Sequence, residues 1–271
     1  VFASLPAGGA QGASLELVEV QKIWDKAPHN AFTDLVRFGG RWFCVFREGK
    51  GHGSSDGAVR VLSSDNVDEW KSKSLVRMTP ERLRALAPKI LPDEEGYMDL
   101  RDPKLCVTPQ GRLMLTAGLR YNERGRDMQS LAWFSEDGED WGVPVLIGEH
   151  QYWLWRVTWH KGVAYAVGRV PDQRVPRLYR STDGRHFETL VKDEDFFPHV
   201  PGPSEATVRF LDDDTALCLI RLNDVPGSKT DHGHLGLAAP PYTQWEWKDL
   251  DAKIGGPNMI ELVEGRFIAG V

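Results

Sequence analysis

Arginines recur along this chain at the ends of alternating, strand-like apolar runs: Arg47 in VFREG, Arg120 in GLRYN, Arg169 in VGRV and Arg221 in LIRLN. A second polar set opens other such runs: Asp34, Arg101 with Asp102, Arg156, Glu205 and Asn258. Guanidinium binds a carboxylate or sulfate through two parallel hydrogen bonds, so arginines that converge select an acidic ligand. Carboxylates beside them supply acid–base chemistry once burial or charge moves their pKa toward the working pH. Asp56 in GHGSSDGAVRVL, Glu205 and Asp34 are the candidate catalytic acids and bases. Tyr121, next to Arg120, would line the pocket, and Trp153 or Trp155 in YWLWR offers a face for a sugar ring or a side chain for the core. Any one of the arginines could equally pair with Asp34, Asp102 or Glu205 in a structural ion pair. Only the set as a whole points to a ligand.

These residues need elements that bring them together, and the sequence supplies a repeat. Two β-type runs joined by a tight turn are followed by a loop, a third run and a polar phrase that ends on an aromatic. The first unit has FTDLVRF, RWFCVFREG, AVRVL and SSDNVDEW; the second has PKLCVTPQGRLMLTAGLR, QSLAWF and SEDGEDW. The third has RVTWHKGVAYAVGR, RLYR and STDGRHF. A fourth reads ATVRFLDDDTALCLIRLN, HLGLA and PPYTQWEW, where the phrase has decayed, and a fifth begins with MIELVEGRFIAGV. One four-stranded unit repeated at ~40–50 residues predicts an all-β fold, a β-propeller of antiparallel blades, six when complete. A β-sandwich is the rival, but it does not explain a regular phrase at the same turn. TPERLRALA is the one convincing helix, with Thr79 as N-cap and Pro80 at its first position.

In SEDGEDW, Ser135 and Asp137 accept hydrogen bonds from the turn's own amides, Gly138 tolerates a positive φ, and Trp141 anchors the turn in apolar space. On these phrases the chain resembles the sialidase (neuraminidase) family and its relatives, propellers that carry the Asp box, or BNR repeat, Ser/Thr-x-Asp-x-Gly-x-x-Trp. It is most similar to the bacterial exo-alpha-sialidase-like proteins. SEDGEDW and STDGRHF are one residue short of that pattern, and SSDNVDEW has Val67 where glycine belongs. In a blade of antiparallel strands the first and third turns share one face, so the Asp boxes mark the closed face and chemistry belongs opposite. The resemblance implies an arginine triad on the substrate carboxylate, an acid/base aspartate in the first blade's loop, and a tyrosine nucleophile activated by a glutamate. Glu205 and Arg221 resemble that glutamate and the second arginine, and Asp56 resembles the acid/base aspartate. Thr33 and Asp34 stand where the first arginine belongs, which leaves Arg47 or Arg156 to supply the clamp. The third arginine and the nucleophilic tyrosine are expected past Val271; Tyr121 sits in the wrong blade for that role.

Bulk properties narrow the rest. With 271 residues, 41% of them hydrophobic, the chain builds a large core without disulfides. A net charge of −6 argues against nucleic acid. A local cluster of arginines still admits an acidic glycan. Cys44, Cys106 and Cys218 each sit in an apolar run and read as buried thiols. No apolar run approaches the ~20 residues of a membrane span. Residues 1–20, rich in Ala and Gly, read as an N-terminal arm or signal-peptide remnant, hence an exported protein; residues 21–271 form one propeller domain that stops inside a strand. DHGHLG sets His232 and His234 on one side of a strand with Asp231 nearby, but His-x-His alone does not make a metal site, and none is assigned. RYNERGRD reads as a solvated loop at the pocket mouth. No cofactor is implied, and a monomer is expected. The leading function is an exo-acting hydrolase of an acidic sugar, sialic acid or another carboxylated or sulfated glycan. A non-catalytic carbohydrate-binding or interaction propeller and a polysaccharide lyase are the alternatives.

Overall fold

A computed structural model of the chain describes residues 2–3, 16–90, 92, 96–170, 176–198, 202–223, 232–263 and 266–270. The fold is all-β, a propeller of antiparallel four-stranded blades. After β1 (Phe2–Ala3), blade one comprises β2 (His29–Phe38), β3 (Arg41–Gly49), β4 (Ala58–Ser64) and β5 (Lys71–Val76). Helix α1 (Pro80–Leu86) leads to blade two, formed by β6 (Met98–Val107), β7 (Leu113–Tyr121), β8 (Asp127–Ser135) and β9 (Val145–Ile147). Blade three holds β10 (Trp153–His160), β11 (Val163–Arg169), β12 (Pro176–Ser181) and β13 (Glu188–Lys192), and α2 (Asp193–Phe196) follows. Blade four holds β14 (Pro203–Phe210), β15 (Ala216–Leu222), β16 (His232–Ala238) and β17 (Glu246–Lys253). In each blade the strands pair in chain order. A fifth sheet joins β18 (Asn258–Val263) to β19 (Arg266–Gly270), with Phe2 and Ala3 paired to Gly270 and Ala269 at its edge.

Period-2 alternation makes each second strand serve two cores at once. In β7, Leu113, Leu115 and Leu119 pack with Phe43, Val45 and Val61 of blade one, while Met114 faces Leu154 and Ala166 of blade three. In β15, Cys218 and Ile220 join Val167 and Leu178 of blade three, while Leu217 and Leu219 meet Met259 of the fifth sheet. The blades are therefore glued face to face. Thr79 caps α1 by accepting from the Arg82 amide at 3.3 Å, and Leu83 drops into the core between blades one and two.

The turns between third and fourth strands behave as the phrases predict. Ser135 Oγ accepts from Gly138 N at 2.8 Å, and Asp137 Oδ1 accepts from Glu139 N and Asp140 N at 2.8 and 2.9 Å. Ser181 and Asp183 repeat these bonds around Gly184. The first copy is corrected by one residue: Ser64 and Asn66, not Ser63 and Asp65, hold the turn, with Asn66 Oδ1 accepting from Asp68 N and Glu69 N. In this frame all the copies have the same length. The fourth, which reads as decayed, keeps the backbone: Tyr242 (φ 66°) stands where Val67 (φ 64°) and Gly138 (φ 76°) do. Trp245 Nε1 donates to the Tyr242 carbonyl just as Trp70 Nε1 donates to that of Val67. Arg41, at the start of β3, reaches Glu139 at 2.9 Å, so first-to-second and third-to-fourth turns do lie on one face.

Cys44 and Cys218 are buried and Cys106 is partly so; none forms a disulfide, and burial pushes the Cys44 and Cys106 thiols up to about 12. Among the described residues no helix is long and apolar enough to cross a membrane.

Candidate functional site

In each complete blade the innermost strand carries a β-bulge at the same register position. The pairing slips between Ala31 and Asp34, Arg101 and Lys104, Leu154 and Val157, and Pro203 and Ala206. The inserted pairs are Phe32–Thr33, Asp102–Pro103, Trp155–Arg156 and Ser204–Glu205. A bulge bends the strand and re-aims its side chains, and Asp102, Arg156 and Glu205 sit at these bulges, out of the regular alternation. Pro103, which lacks an N–H for the ladder, occupies one of the few places a strand tolerates it. Asp102 sits at φ 50°. No alternation pattern in the sequence announces these bulges, although an Asp-Pro inside a strand is a local signal for one.

The bulges organise two layers. The deeper one is a structural hub. Asp34 of blade one takes a bidentate pair from Arg156 of blade three, at 2.7 and 3.0 Å, and accepts from the Leu105 amide of blade two at 2.8 Å. Arg209 of blade four continues the ring, donating to Asn258 Oδ1 and the Met259 carbonyl at 2.7 Å each. Asp34, Arg156 and Asn258, expected from sequence at the site, are thus engaged in hydrogen bonds between blades.

The upper layer gathers two carboxylates and four cations. Arg221 donates to Glu205 at 3.2 Å, and its side chain is 34% exposed. Arg221 lies across from the Ser204–Glu205 bulge, between the Leu222 and Ile220 pairings. Burial alone would raise the Glu205 carboxyl, but Arg169, Ser204 and Arg221 together hold it below its ordinary range. For Asp102 the balance reverses. Burial dominates, Glu205 adds to it, and the opposing charges of Lys104, Arg101 and Arg169 leave its pKa at about 6. Lys104, a residue that sequence reading missed, is 6% exposed with its ammonium 4.7 Å from the Trp155 ring. Burial lowers it to about 8 against the pull of Asp102. Trp155 and Trp153 are both buried, tilted against each other at 6.2 Å, so Trp155 is a floor for Lys104 and not an exposed stacking face. Arg169 covers the Trp153 ring at 5.5 Å, and Arg101 covers Phe32 at 5.1 Å while facing His52 at 3.3 Å.

Other expected site residues lie elsewhere. Arg47 is fully buried; it pairs with Asp99 at 2.7 Å and spends its remaining donors on Gly51 and Ser54. Arg120 donates to the Gly125 carbonyl at 2.9 Å. Tyr121 is buried against His150 at 2.8 Å, with burial pushing its hydroxyl up to about 12. Asp56 accepts from the Lys50 amide, and its pKa is lowered: burial is outweighed by hydrogen bonds from Ser54 and the backbone, the opposite of what a general acid needs. The four arginines share a residue type but not a register. Arg47 faces Ala31, Arg120 faces Asp99 and Arg169 faces Trp153.

His232 faces Asp249 at 3.2 Å and His234 lies edge-on to Phe197, while Asp231 is outside the described residues. No group of three or more metal-ligating side chains is found among the described residues. Two surface concavities, of about 220 Å³ beside Ser64 and Lys73 and about 650 Å³ between Leu190 and Trp245, lie at outer strands. Neither contains the perturbed carboxylates, whose convergence marks the upper layer as the candidate site.

No family model matches the chain, and no curated protein matches it. Solved structures do. A protein of unknown function from Dyadobacter fermentans aligns with TM-score 0.67 at 12% identity over 89% of this chain and 74% of that one. The GH93 α-L-arabinofuranosidase of Fusarium graminearum aligns with TM-score 0.63 at 13% identity, over 90% and 75%. Hadza microbial sialidase Hz136 aligns with TM-score 0.58 at 14% identity over 81% of this chain but 46% of its own length. The chain thus spans under half of that sialidase. The likeness is one of fold, shared by propeller glycoside hydrolases of several specificities, and it does not single out sialidases.

Proposed function

We propose that the chain is the propeller of an exo-acting glycoside hydrolase for an acidic sugar, with Asp102 as general acid and Glu205 as its ionised partner. The observation that carries this reading is a carboxylate pair in one cluster whose surroundings push the two pKa values apart, Asp102 up to about 6 and Glu205 down. Two carboxylates so divided suit glycoside cleavage. Asp102 protonates the departing glycosidic oxygen, and Glu205 activates water or stabilises the developing positive charge of the ring. Arg221, Arg169 and Arg101 orient a carboxylate or sulfate by bidentate bonding. The activities of the structural neighbours, an arabinofuranosidase and a sialidase, support glycoside chemistry.

The test is turnover of a panel of aryl glycosides, namely a sialoside, a glucuronide and a neutral arabinofuranoside. Asp102→Asn and Glu205→Gln are each expected to lower kcat by about 10²-fold or more with KM little changed. Because the acid must carry its proton, wild-type activity should fall as pH rises through about 6. Undiminished hydrolysis in both variants overturns the assignment. Saturable binding without turnover identifies a binding propeller instead, and an ultraviolet-absorbing unsaturated product identifies a lyase.

A further inference from the structure

Lys104 is a buried cation with little to satisfy it. Its side chain rises from the residue that follows the blade-two bulge, and among the described residues its ammonium makes one hydrogen bond, a 3.3 Å contact to the carbonyl of the adjacent Pro103. The Trp155 face beneath it, 4.7 Å away, provides cation–π attraction but no acceptor. An ammonium has three donors, and a buried donor left unmade is costly. The corresponding position in blade one is Asp34, whose carboxylate is fully bonded, and in blades three and four it is Val157 and Ala206. Lys104 alone among these presents unspent donors beside the upper layer.

We propose that the Lys104 ammonium, seated on Trp155 with a single long hydrogen bond to its neighbour, is the specificity determinant that receives the carboxylate of the sugar. This rests on the reading of the upper layer as a glycan site: the acidic group sits over Trp155, and the neighbouring arginines supply further donors to it. A carboxylate there completes the ammonium's hydrogen bonds and replaces the Coulombic role now shared by Asp102, Asp34 and Glu205, against which Arg156 acts. The ammonium's depressed value of about 8 agrees, since a carboxylate ligand would raise it and so draw in a proton.

Calorimetric titration with D-glucuronate, N-acetylneuraminate and D-glucose tests this without requiring hydrolysis. Wild-type protein at pH 7 is expected to bind at least one acidic sugar about tenfold or more tightly than glucose, the size of one charge-assisted hydrogen bond. The preference should vanish in Lys104→Met. In wild type at pH 8.5, titrations in buffers of different ionisation enthalpy should show proton uptake on binding of the acidic sugar, a readout that needs no variant to fold. Equal affinity for acidic and neutral sugars, no binding of either acid, or an undiminished preference in Lys104→Met overturns the proposal. Loss of hydrolysis in Asp102→Asn and Glu205→Gln, together with loss of the preference in Lys104→Met, supports both readings. Hydrolysis that Asp102→Asn and Glu205→Gln do not diminish overturns the catalytic assignment alone.

Discussion

At the scale of single residues, burial and neighbouring charges set how the upper layer titrates. Asp102 keeps its proton to about 6 in the folded chain, against an ordinary value of 3.8. Between those values the folded state binds more protons than the unfolded one, so stability falls as pH rises across that window. Lys104 runs the other way: its folded value near 8 lies below the ordinary 10.5, and the cost of burying its charge is relieved as pH climbs between the two. Asp102→Asn should therefore raise the free energy of unfolding at pH 7 by on the order of 1–3 kcal/mol and leave it unchanged at pH 3, measured by urea denaturation at both values. A stabilising substitution that also abolishes turnover is the expected mark of a strained functional group. The same pair of residues shows the limits of reading by type. Asp102 stands out as an acid at a strand start; Lys104, two positions on, reads as an ordinary solvent-facing lysine, yet it is buried beside the bulge.

At the scale of elements, the repeated turn is the best-determined part of the molecule. Its hydrogen bonds span two or three residues, so the phrase itself carries nearly all the information needed. Where the phrase departs from type, the geometry survives by other means: Asn66 replaces the aspartate, and Tyr242 adopts the left-handed backbone next to a retained Trp245. Val67 is the costly compromise. It is β-branched, 42% exposed and held at φ 64°, a region that disfavours its side chain. Val67→Gly should raise the urea midpoint, a gain of roughly 0.5–1 kcal/mol, with an unchanged m-value and unchanged activity. By contrast, the arginines at strand ends were legible as a set but not as a geometry. A shift of one residue reverses the face to which a strand side chain points. Arg47 consequently enters a buried pair, while Arg221 reaches Glu205.

At the scale of the whole molecule, the axis is held by contacts between residues far apart in the chain. Asp34 and Arg156 are separated by 122 positions, and the Asp34 carboxylate also serves the Leu105 amide of a third blade. Removing one partner of a buried pair strands the other. Asp34→Ala should cost about 3–5 kcal/mol, and Asp34→Leu with Arg156→Met should recover much of it. The double variant should still lack the stabilisation of about 1 kcal/mol that the Leu105 amide draws from its acceptor. Chemical denaturation followed by tryptophan fluorescence measures both; a negligible effect of Asp34→Ala would remove the hub from the account of how the blades stay together.

The sequence alone determined the repeat, the all-β class, the capped helix and the turn that marks the closed face, because each depends on neighbours within a few residues or on strict alternation. It also placed Glu205, Arg221, Arg169, Arg101, Asp102, Asp34, Arg47, Tyr121, Arg156 and Asn258 at strand ends. Only the tertiary structure showed which of these bond within and between blades, and that Lys104 is buried against Trp155. The reason is physical: whether a charge serves the core or a ligand is decided by bulges, register and partners contributed from other blades.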